Sequence, residues 1–338
     1  MKKSGALLLS VLLILAALFL PAAAKETRPT VLLGGIPFGV RFSTDGVFVV
    51  SYCDVESGGK AQNPAREAGI LPGDTLMRAE GQPLCGTADL AAATERAAGA
   101  EMHVVLRRGE EEKEVTLSPL ACDKDGKWRI GLFVRDSGGG IGTMTFLTPD
   151  THLFGGLGHA ICDGESKMSL PIARGSVLGV KIGSVRRGTA GCPGELRGHF
   201  SKGKIGSFTA NTECGVFGVL SECPAGLSTR VEIARRDEVV EGDATLICTV
   251  EGDTPRAYRV TISEIHTKER GNKCFTVRVC DPELIGKTGG IVQGMSGSPL
   301  VQNGRLIGAV THVLLAEPTF GYGIFIENML DAMEGAFS

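Results

Sequence analysis

The sequence predicts a mainly β protein in which a small α+β domain is followed by a larger antiparallel β domain, either a barrel or a sandwich. The chain has 338 residues, enough for two domains with sizeable cores. It contains 48 glycines and only 5% aromatic residues, a composition typical of many turns and short strands. Beyond the first 30 residues, helix patterns are confined to a stretch ending near residue 119 and to Ile326–Met333.

The bulk composition excludes several classes of function. Hydrophobic residues make up 43% and charged residues 22%, as in an ordinary globular protein rather than a disordered one. The net charge of −3 and the absence of a basic tract give nucleic-acid binding no electrostatic support. The ten cysteines include no C-x-x-C pair, so neither a zinc ribbon nor a redox dithiol is indicated. We therefore expect no metal and no cofactor.

The N-terminus has the pattern of an export signal. Met1-Lys2-Lys3 is followed by an apolar run from Ala6 to Leu20 and by small residues before Lys25. Residues 1–24 are expected to be either a cleaved signal peptide or an uncleaved membrane anchor, because the run is also long enough to span a bilayer. Both possibilities export the rest of the chain, and the second tethers it to the membrane.

Residues 30–119 are predicted to form the α+β domain. A cap, an N1 proline and a closing glycine indicate a short helix over 63–69, and Thr87 is expected to cap a second helix that runs to Ala98. Apolar and β-branched runs predict strands on both sides of these helices. The expected strands are 31–33, 40–42 and 47–52, with a hairpin of 102–107 and 112–117.

This domain resembles a PDZ domain, most specifically in Ala65-Arg66-Glu67-Ala68-Gly69-Ile70-Leu71-Pro72-Gly73-Asp74-Thr75-Leu76. The resemblance implies that the loop containing Ile36, Phe38 and Gly39 presents backbone N–H groups to a peptide carboxylate. It also implies that the edge beginning at Val40 accepts an added strand, from a protein or from a second copy of the chain. The alternative is an empty groove in a domain that only positions the rest of the molecule.

Residues 128–338 are predicted to form an all-β barrel or sandwich. Short β-type runs alternate with glycine turns throughout this part. The run from Cys274 to Val279 alternates apolar and polar residues, which suits an antiparallel strand with one buried face.

Ser296 is the candidate nucleophile of this second domain. Gly294 and Gly297 flank it and allow a tight loop in which the N–H groups of Gly294 and Ser296 form an oxyanion hole. Asn303-Gly304 between apolar runs predicts a hairpin directly behind the loop. A serine in this setting needs a base and a group that orients the base.

The base is expected among six histidines, and His159 is favoured because glycines flank it before an apolar pair. His312, which follows the hairpin, is the competitor. Lys287 as the base of a Ser–Lys dyad is a third possibility. From chemistry alone the orienting carboxylate is either Asp281, at a strand end, or Asp163, four residues after His159.

The pattern G-x-S-G-x-P-L closely resembles the nucleophile segment of chymotrypsin-like peptidases. Longer stretches are similar to the stage IV sporulation protein B peptidases: 140–146, 157–161, 287–299, 308–313 and 321–326. This family combines an N-terminal membrane segment, a PDZ domain and a chymotrypsin-like serine peptidase domain. The resemblance implies the catalytic residues His159, Asp281 and Ser296, which selects Asp281 over Asp163.

The same resemblance implies a function. Peptidases of this family are exported into the space between the two forespore membranes, where they cleave themselves. They then cut the extracytoplasmic part of a membrane regulator of an intramembrane protease, which leads to activation of the late mother-cell sigma factor. Two competing functions are a general extracytoplasmic quality-control peptidase with a PDZ domain and a non-catalytic PDZ signalling scaffold.

Overall fold

The computed structural model of the protein describes residues 28–224 and 226–337. The strands, in chain order, are β1 (Thr30–Leu33), β2 (Pro37–Tyr52), β3 (Val55–Ser57), β4 (Lys60–Gln62), β5 (Thr75–Ala79), β6 (Gln82–Pro83), β7 (Met102–Arg108), β8 (Glu111–Leu117), β9 (Leu120–Ala121), β10 (Trp128–Arg129), β11 (Leu132–Leu147), β12 (Leu153–Gly156), β13 (Ile172–Arg186), β14 (Glu195–Thr212), β15 (Gly215–Leu220), β16 (Arg230–Ile233), β17 (Gly242–Cys248), β18 (Arg256–Ser263), β19 (Phe275–Val279), β20 (Pro299–Gln302), β21 (Arg305–Val313) and β22 (Phe320–Phe325).

The helices are α1 (Pro64–Glu67), α2 (Thr87–Ala97), α3 (Pro282–Thr288) and α4 (Ile326–Phe337), with a single 3₁₀ turn at Arg236–Glu238. The prediction of a mainly β chain is confirmed. In the part of the chain that the structure describes, no helix has the length and apolarity needed to cross a membrane. The predicted signal peptide or anchor over 1–24 lies outside the described residues.

The first barrel is a closed ring of six antiparallel strands. Strand β2 pairs with β11, β11 with β12, β12 with β15, β15 with β14, β14 with β13, and β13 returns to β2. Closure leaves no free edge within the ring. Its interior is apolar, with Phe38, Phe154 and Val216 among the buried side chains. The rings of Phe38 and Phe154 meet edge to face at 5.5 Å.

The second barrel is also a closed antiparallel ring of six strands, in the order β17, β18, β19, β22, β21, β20 and back to β17. Strands β1 and β16 join the two barrels, because β1 pairs with β11 and β16 while β16 runs parallel to β21. The prediction left a barrel or a sandwich open, and the strand pairing shows two barrels. Strands β1 and β16 therefore connect the two barrels.

The PDZ-like unit is built on the outer halves of two strands that belong to the first barrel. The end of β2 pairs with Leu132–Arg135 of β11 on one side and with β5 on the other. The sheet continues through β7 to β8, and α1 and α2 pack on it around a separate core that contains Leu76, Leu90 and Val104. The unit is thus joined to the barrel by two continuous strands rather than by a linker.

This continuity corrects the predicted boundaries of 30–119 and 128–338. Strand β1 and residues 37–44 of β2 pair within the barrels, whereas Leu132–Arg135 pair within the PDZ-like unit. A single long strand can serve both units because its two halves bury side chains in different cores. Propensity along the chain marks the strand but not the point where it passes from one core to the other.

The predicted peptide-binding residues Ile36, Phe38, Gly39 and Val40 are corrected for the same reason. Residues 38–40 are paired with β11 on one side and β13 on the other, so this edge cannot accept a further strand. Phe38 and Val40 are buried in the first barrel. The backbone N–H groups of this segment are therefore not presented to a peptide.

Local chemistry was predicted more accurately than domain boundaries. The Asn63 side chain accepts from the amide of Arg66 and caps α1, as expected. The hairpin at Asn303-Gly304 is present, with both residues at positive φ. Thr87, however, is the first residue of α2 and not its cap: the carboxylate of Asp136 accepts from both its amide and its hydroxyl.

Candidate active site

The loop that carries Ser296 lies between α3 and β20, where the two barrels meet. Glycines with positive φ at Gly294 and Gly297 fold it tightly, and Met295 between them is fully buried. The amides of Met295 and Ser298 donate to the carbonyls of Val292 and Met295. Ser296 itself stays partly exposed.

The first barrel holds this loop by three hydrogen bonds from one strand. The N–H of Thr143 donates to the carbonyl of Ser296 at 2.9 Å, and its hydroxyl donates to the carbonyl of Gly294 at 2.8 Å. Two residues further along β11, on the same face, the Thr145 hydroxyl donates to the carbonyl of Gly297 at 2.7 Å. Both threonines are buried. The nucleophile loop of one barrel is thus fixed by the other.

Two amides in the loop remain available for an oxyanion. In the described residues the N–H groups of Gly294 and Ser296 are not donated to any carbonyl or side chain, whereas those of the residues between and after them are. Two backbone N–H groups that lie two residues apart in a glycine loop and donate no internal hydrogen bond are the arrangement that stabilises the oxyanion of a tetrahedral intermediate. The structure therefore leaves free the two groups expected to form the oxyanion hole.

His159 comes from the first barrel, three residues after β12. Leu157 and Gly158 before it both have positive φ, which turns the chain sharply toward the second barrel. A methyl group on Gly158 would lie 2.8 Å from Cγ2 of Thr311, so the two segments are in close contact. Burial lowers the pKa of the His159 imidazole below its usual value, and the hydrogen bond of its Nδ1 with Ala160 O at 2.8 Å opposes that shift.

The second histidine, His312, lies against the first. The two ring centroids are 4.8 Å apart, and the carbonyl of the preceding residue, Thr311, accepts the Ser296 hydroxyl at 2.7 Å. Among the described groups none hydrogen-bonds the buried Nδ1 of His312. Burial, with the charges of His159 and Lys273, lowers the pKa of His312 to about 4. Ser296, His159 and His312 thus form one cluster in which both imidazoles are neutral at pH 7.

Asp281 is placed elsewhere in the fold. Its carboxylate caps α3 by accepting from the amides of Glu283 and Leu284, and it also accepts from the amide of Arg259. Burial acts to raise the pKa of Asp281, and these amides with the Arg259 charge more than offset it, so the pKa is lowered. The carboxylate therefore already has partners of its own.

The path of β19 separates Asp281 from the histidines. The Thr311 hydroxyl donates to the carbonyl of Asn272, so the beginning of β19 adjoins the histidine cluster. Asp281 follows the opposite end of that strand. At about 3.3 Å per residue, the five residues of β19 alone span roughly 15 Å. The structure places Ser296 against Thr311 and His159 against the adjacent His312, and it does not bring Asp281 to them.

Asp163 and Lys287, the competing carboxylate and base, also have local partners. Asp163 is buried and pairs with Arg135 at 2.9 Å, and its second oxygen accepts from the amides of Glu165 and Ser166. Lys287 lies on α3, where it pairs with Glu283 and Glu251. Neither contacts Ser296 or His159 in the described hydrogen bonds.

Sequence reasoning missed three residues that shape the site. Thr143 and Thr145 belong to a stretch that stood out only for its family resemblance, although their alternation on one strand face was readable. Asn211, at the end of β14, hydrogen-bonds the backbone just after His159, and no local pattern marks it. Within residues 28–224 and 226–337 no three His, Cys, Asp or Glu side chains converge as metal ligands.

Comparisons with known proteins give a family and three weaker likenesses. A family model described as SpoIVB peptidase S55 matches residues 126–330. No curated protein matches the chain. Similar solved structures include the PDZ domain of an SdrC-like protein from Listeria monocytogenes (19% identity, 27% of this chain and 90% of that one, TM-score 0.22).

Two protease structures are also similar. They are the HtrA-type protease AlgW with a decapeptide (14% identity, 64% of this chain and 55% of that one, TM-score 0.34) and the protease Rv3671c from M. tuberculosis (14% identity, 59% of this chain and 74% of that one, TM-score 0.33). The fold is defined by the strand pairings described above.

Proposed function

Since this chain belongs to the SpoIVB peptidase S55 family and is a serine endopeptidase, we propose that Ser296 is its nucleophile and His159 its general base. The observation that supports this most directly is the cluster between the barrels. There the Ser296 hydroxyl bonds the carbonyl of Thr311, the adjacent His312 contacts the ring of His159, and the N–H groups of Gly294 and Ser296 donate no internal hydrogen bond among the described residues. These are the groups that acyl transfer from a peptide requires.

In the proposed mechanism Ser296 Oγ attacks the substrate carbonyl and His159 Nε2 takes its proton. Burial keeps His159 neutral at pH 7, the state in which a histidine can act as a base. The N–H groups of Gly294 and Ser296 stabilise the oxyanion. In the unliganded protein the hydroxyl rests on Thr311 O, so attack requires it to rotate from that carbonyl to His159.

The proposed biological role is that of a sporulation-signalling peptidase. We propose that it is exported to the forespore intermembrane space, cleaves itself, and cuts the extracytoplasmic part of a membrane regulator of an intramembrane protease. Family membership and the N-terminal export pattern support this role. Membrane association through residues 1–24 and self-interaction through the PDZ-like unit belong to the same proposal.

The test of the catalytic assignment uses a fluorophosphonate, which reacts with activated serines and requires no knowledge of the substrate. Peptide mapping of the labelled chain is expected to place the phosphonate on Ser296 alone, and Ser296→Ala is expected to remain folded and unlabelled. Ser137→Ala, which removes an exposed hydroxyl, is the control and should label normally. Label on another serine, or none on folded wild type, would refute the assignment.

The test of the role compares substrates. Incubation of the purified full chain, followed by N-terminal sequencing, should show internal ends that are absent from Ser296→Ala. Unfolded casein should be a poor substrate if the enzyme serves one signalling target. Rapid cleavage of casein without any self-cleavage would favour a general quality-control peptidase.

A further inference from the structure

The imidazole of His159 is oriented by a peptide group in this structure. Its Nδ1 lies 2.8 Å from the carbonyl oxygen of Ala160. Because a carbonyl oxygen can only accept, Nδ1 carries the proton and Nε2 is left unprotonated. This is the tautomer that a histidine base needs, and a triad normally imposes it with a carboxylate.

The opposite end of the same peptide group is bound by Asn211. The Ile161 N–H, which shares the peptide bond with Ala160 C=O, donates to Asn211 Oδ1 at 2.7 Å. Hydrogen bonds at both ends of one amide polarise each other, so Asn211 strengthens Ala160 O as an acceptor. A continuous chain of hydrogen bonds thus runs from the base, through a peptide group, to an asparagine.

Asn211 is itself held in one orientation. Its Nδ2 donates to Ile161 O at 3.0 Å and to Leu170 O at 3.1 Å, so the oxygen and nitrogen of the amide cannot exchange places without losing these bonds. It lies near the end of β14, a strand of the first barrel that is paired on both sides. The rigid barrel therefore fixes the peptide that fixes the histidine.

We infer that Asn211, acting through the Ala160–Ile161 peptide group, is the positioning residue for His159, and that Asp281 serves the site as the cap of α3. This inference rests on the proposed roles of Ser296 and His159. Gly289 is the C-cap of α3 and lies five residues before the nucleophile loop begins at Gly294, so the N-cap at Asp281 helps to fix the entry to that loop. Asparagine caps a helix about as well as aspartate does.

The two roles for Asp281 predict different results for the same substitution. If Asp281 were the triad carboxylate, Asp281→Asn would lower the rate by about 10⁴-fold, as loss of that carboxylate does in serine proteases. If it is a cap, Asp281→Asn should stay within about threefold of wild type, while Asp281→Ala unfolds at a lower temperature. The measurement is the rate of fluorophosphonate reaction with Ser296 in the full chain, followed by intact mass.

Asn211→Ala should lower the saturating rate of that reaction by about 10-fold or more and leave the half-saturating concentration unchanged. It should also move the acid limb of the pH–rate profile to lower pH, because the imidazolium loses part of its stabilisation. Asn211→Asp keeps the acceptor and adds negative charge, so it should recover rate and move the limb to higher pH. A merely structural role of Asn211 would leave the limb where it is in Asn211→Ala, whereas the added charge of Asn211→Asp would move it in either case.

Gln302→Ala is the matched control. The Gln302 amide also bridges a backbone segment, accepting from the N–H of Val240 and donating to the carbonyls of Val240 and Asp243, but it lies in the second barrel away from His159. Its loss should leave the rate and the pH profile unchanged.

The inference is overturned if Asp281→Asn loses about 10⁴-fold, or if Asn211→Ala and Gln302→Ala behave alike. Should Asn211→Ala fail to fold, the rate of Asp281→Asn still decides whether Asp281 is the triad carboxylate or only the cap of α3. Failure of the proposed function looks different, because folded wild-type protein would then not be labelled at Ser296 at all.

Discussion

The backbone N–H of Thr143 in the first barrel donates to the carbonyl of Ser296 in the second barrel at 2.9 Å. The hydroxyl of the same threonine donates to Gly294 O. The nucleophile and one of its expected oxyanion donors are therefore both fixed by a strand that also runs, as β11, into the PDZ-like unit. A change in the position of this strand must move the nucleophile loop.

Thr143→Val is expected to slow catalysis more than it destabilises the fold. Valine keeps the shape and the backbone bond to Ser296 O, but it leaves the carbonyl of Gly294 without its donor. We expect the free energy of unfolding to fall by about 1–2 kcal/mol and kcat to fall about tenfold, since the oxyanion amide loses its fixed direction. Thermal unfolding and the fluorophosphonate reaction rate measure the two effects.

Thr249→Val provides the matched control for Thr143→Val. Thr249 is equally buried, and its hydroxyl also donates to a glycine carbonyl, that of Gly35, at 2.9 Å. Loss of the Thr249 hydroxyl should lower the free energy of unfolding by a similar amount and leave the rate of reaction at Ser296 unchanged. Equal rates for the two variants would show that the Thr143 hydroxyl has no part in positioning the loop.

The two histidines of the cluster should differ in their importance. His159→Ala is expected to abolish reaction at Ser296, whereas His312→Gln should retain most of it. The reason is that His159 has a fixed tautomer through Ala160 O, while the Nδ1 of His312 has no hydrogen-bond partner in the described part of the chain. The opposite pattern in the fluorophosphonate assay would make His312 the base.

Chemistry close in sequence was predictable, and contacts between distant segments were not. The glycine loop around Ser296, the Asn303-Gly304 hairpin and the glycine turn before His159 could be predicted because each depends on a few adjacent residues. The helix after Asp281 was missed even though Asp281-Pro282 is a cap followed by an N1 proline and Gly289 closes it. Asp281 caps this helix, a role that the prediction did not include.

The strand that passes from one core to another was beyond prediction from a single sequence. Nothing in the β-type run from Pro37 to Tyr52 marks where it leaves the first barrel for the PDZ-like unit. The contact of Asn211 with Ile161 could not be predicted for the same reason. It forms only because the barrel closes and brings together residues that are 50 positions apart in the sequence. Strand pairing, rather than propensity, decides both features.

Stability should decrease as the pH falls from about 6.5 towards 4. The pKa of His312 is about 4 in the folded protein, and the pKa of His159 is also lowered, because both rings are desolvated. In this range the unfolded chain binds a proton at His312 and the folded protein does not, and the lowered pKa of His159 acts in the same direction. Stability therefore rises with pH, with a slope approaching about 1.4 kcal/mol per pH unit from His312 alone.

Urea unfolding at pH 7, 6, 5 and 4.5 measures this slope. His312→Gln removes one of the two groups and should flatten the curve, whereas His199→Gln, which changes an exposed histidine of β14, should not. A slope that is the same in wild type and His312→Gln would mean that the ring is solvated in the native state.

Gly297→Ala should prevent the nucleophile loop from forming. Gly297 has φ of +90°, and a Cβ there would lie 2.0 Å from the carbonyl oxygen of Thr143 and 2.3 Å from the amide nitrogen of Leu157. Both obstacles are backbone atoms of the first barrel, so the strain cannot be relieved by a side-chain rotation. Gly304→Ala is the comparison, because Gly304 also has positive φ, +75°, but has open space around it.

In Gly304→Ala the free energy of unfolding should fall only by the conformational cost of a left-handed alanine, about 1–2 kcal/mol, and the activity should be kept. Gly297→Ala should lose considerably more stability and all reaction at Ser296, since the two barrels can no longer close on the loop. Thermal unfolding with fluorophosphonate labelling separates the cases. Equal losses in the two variants would mean that positive φ alone, and not the contact between the barrels, makes glycine necessary at 297.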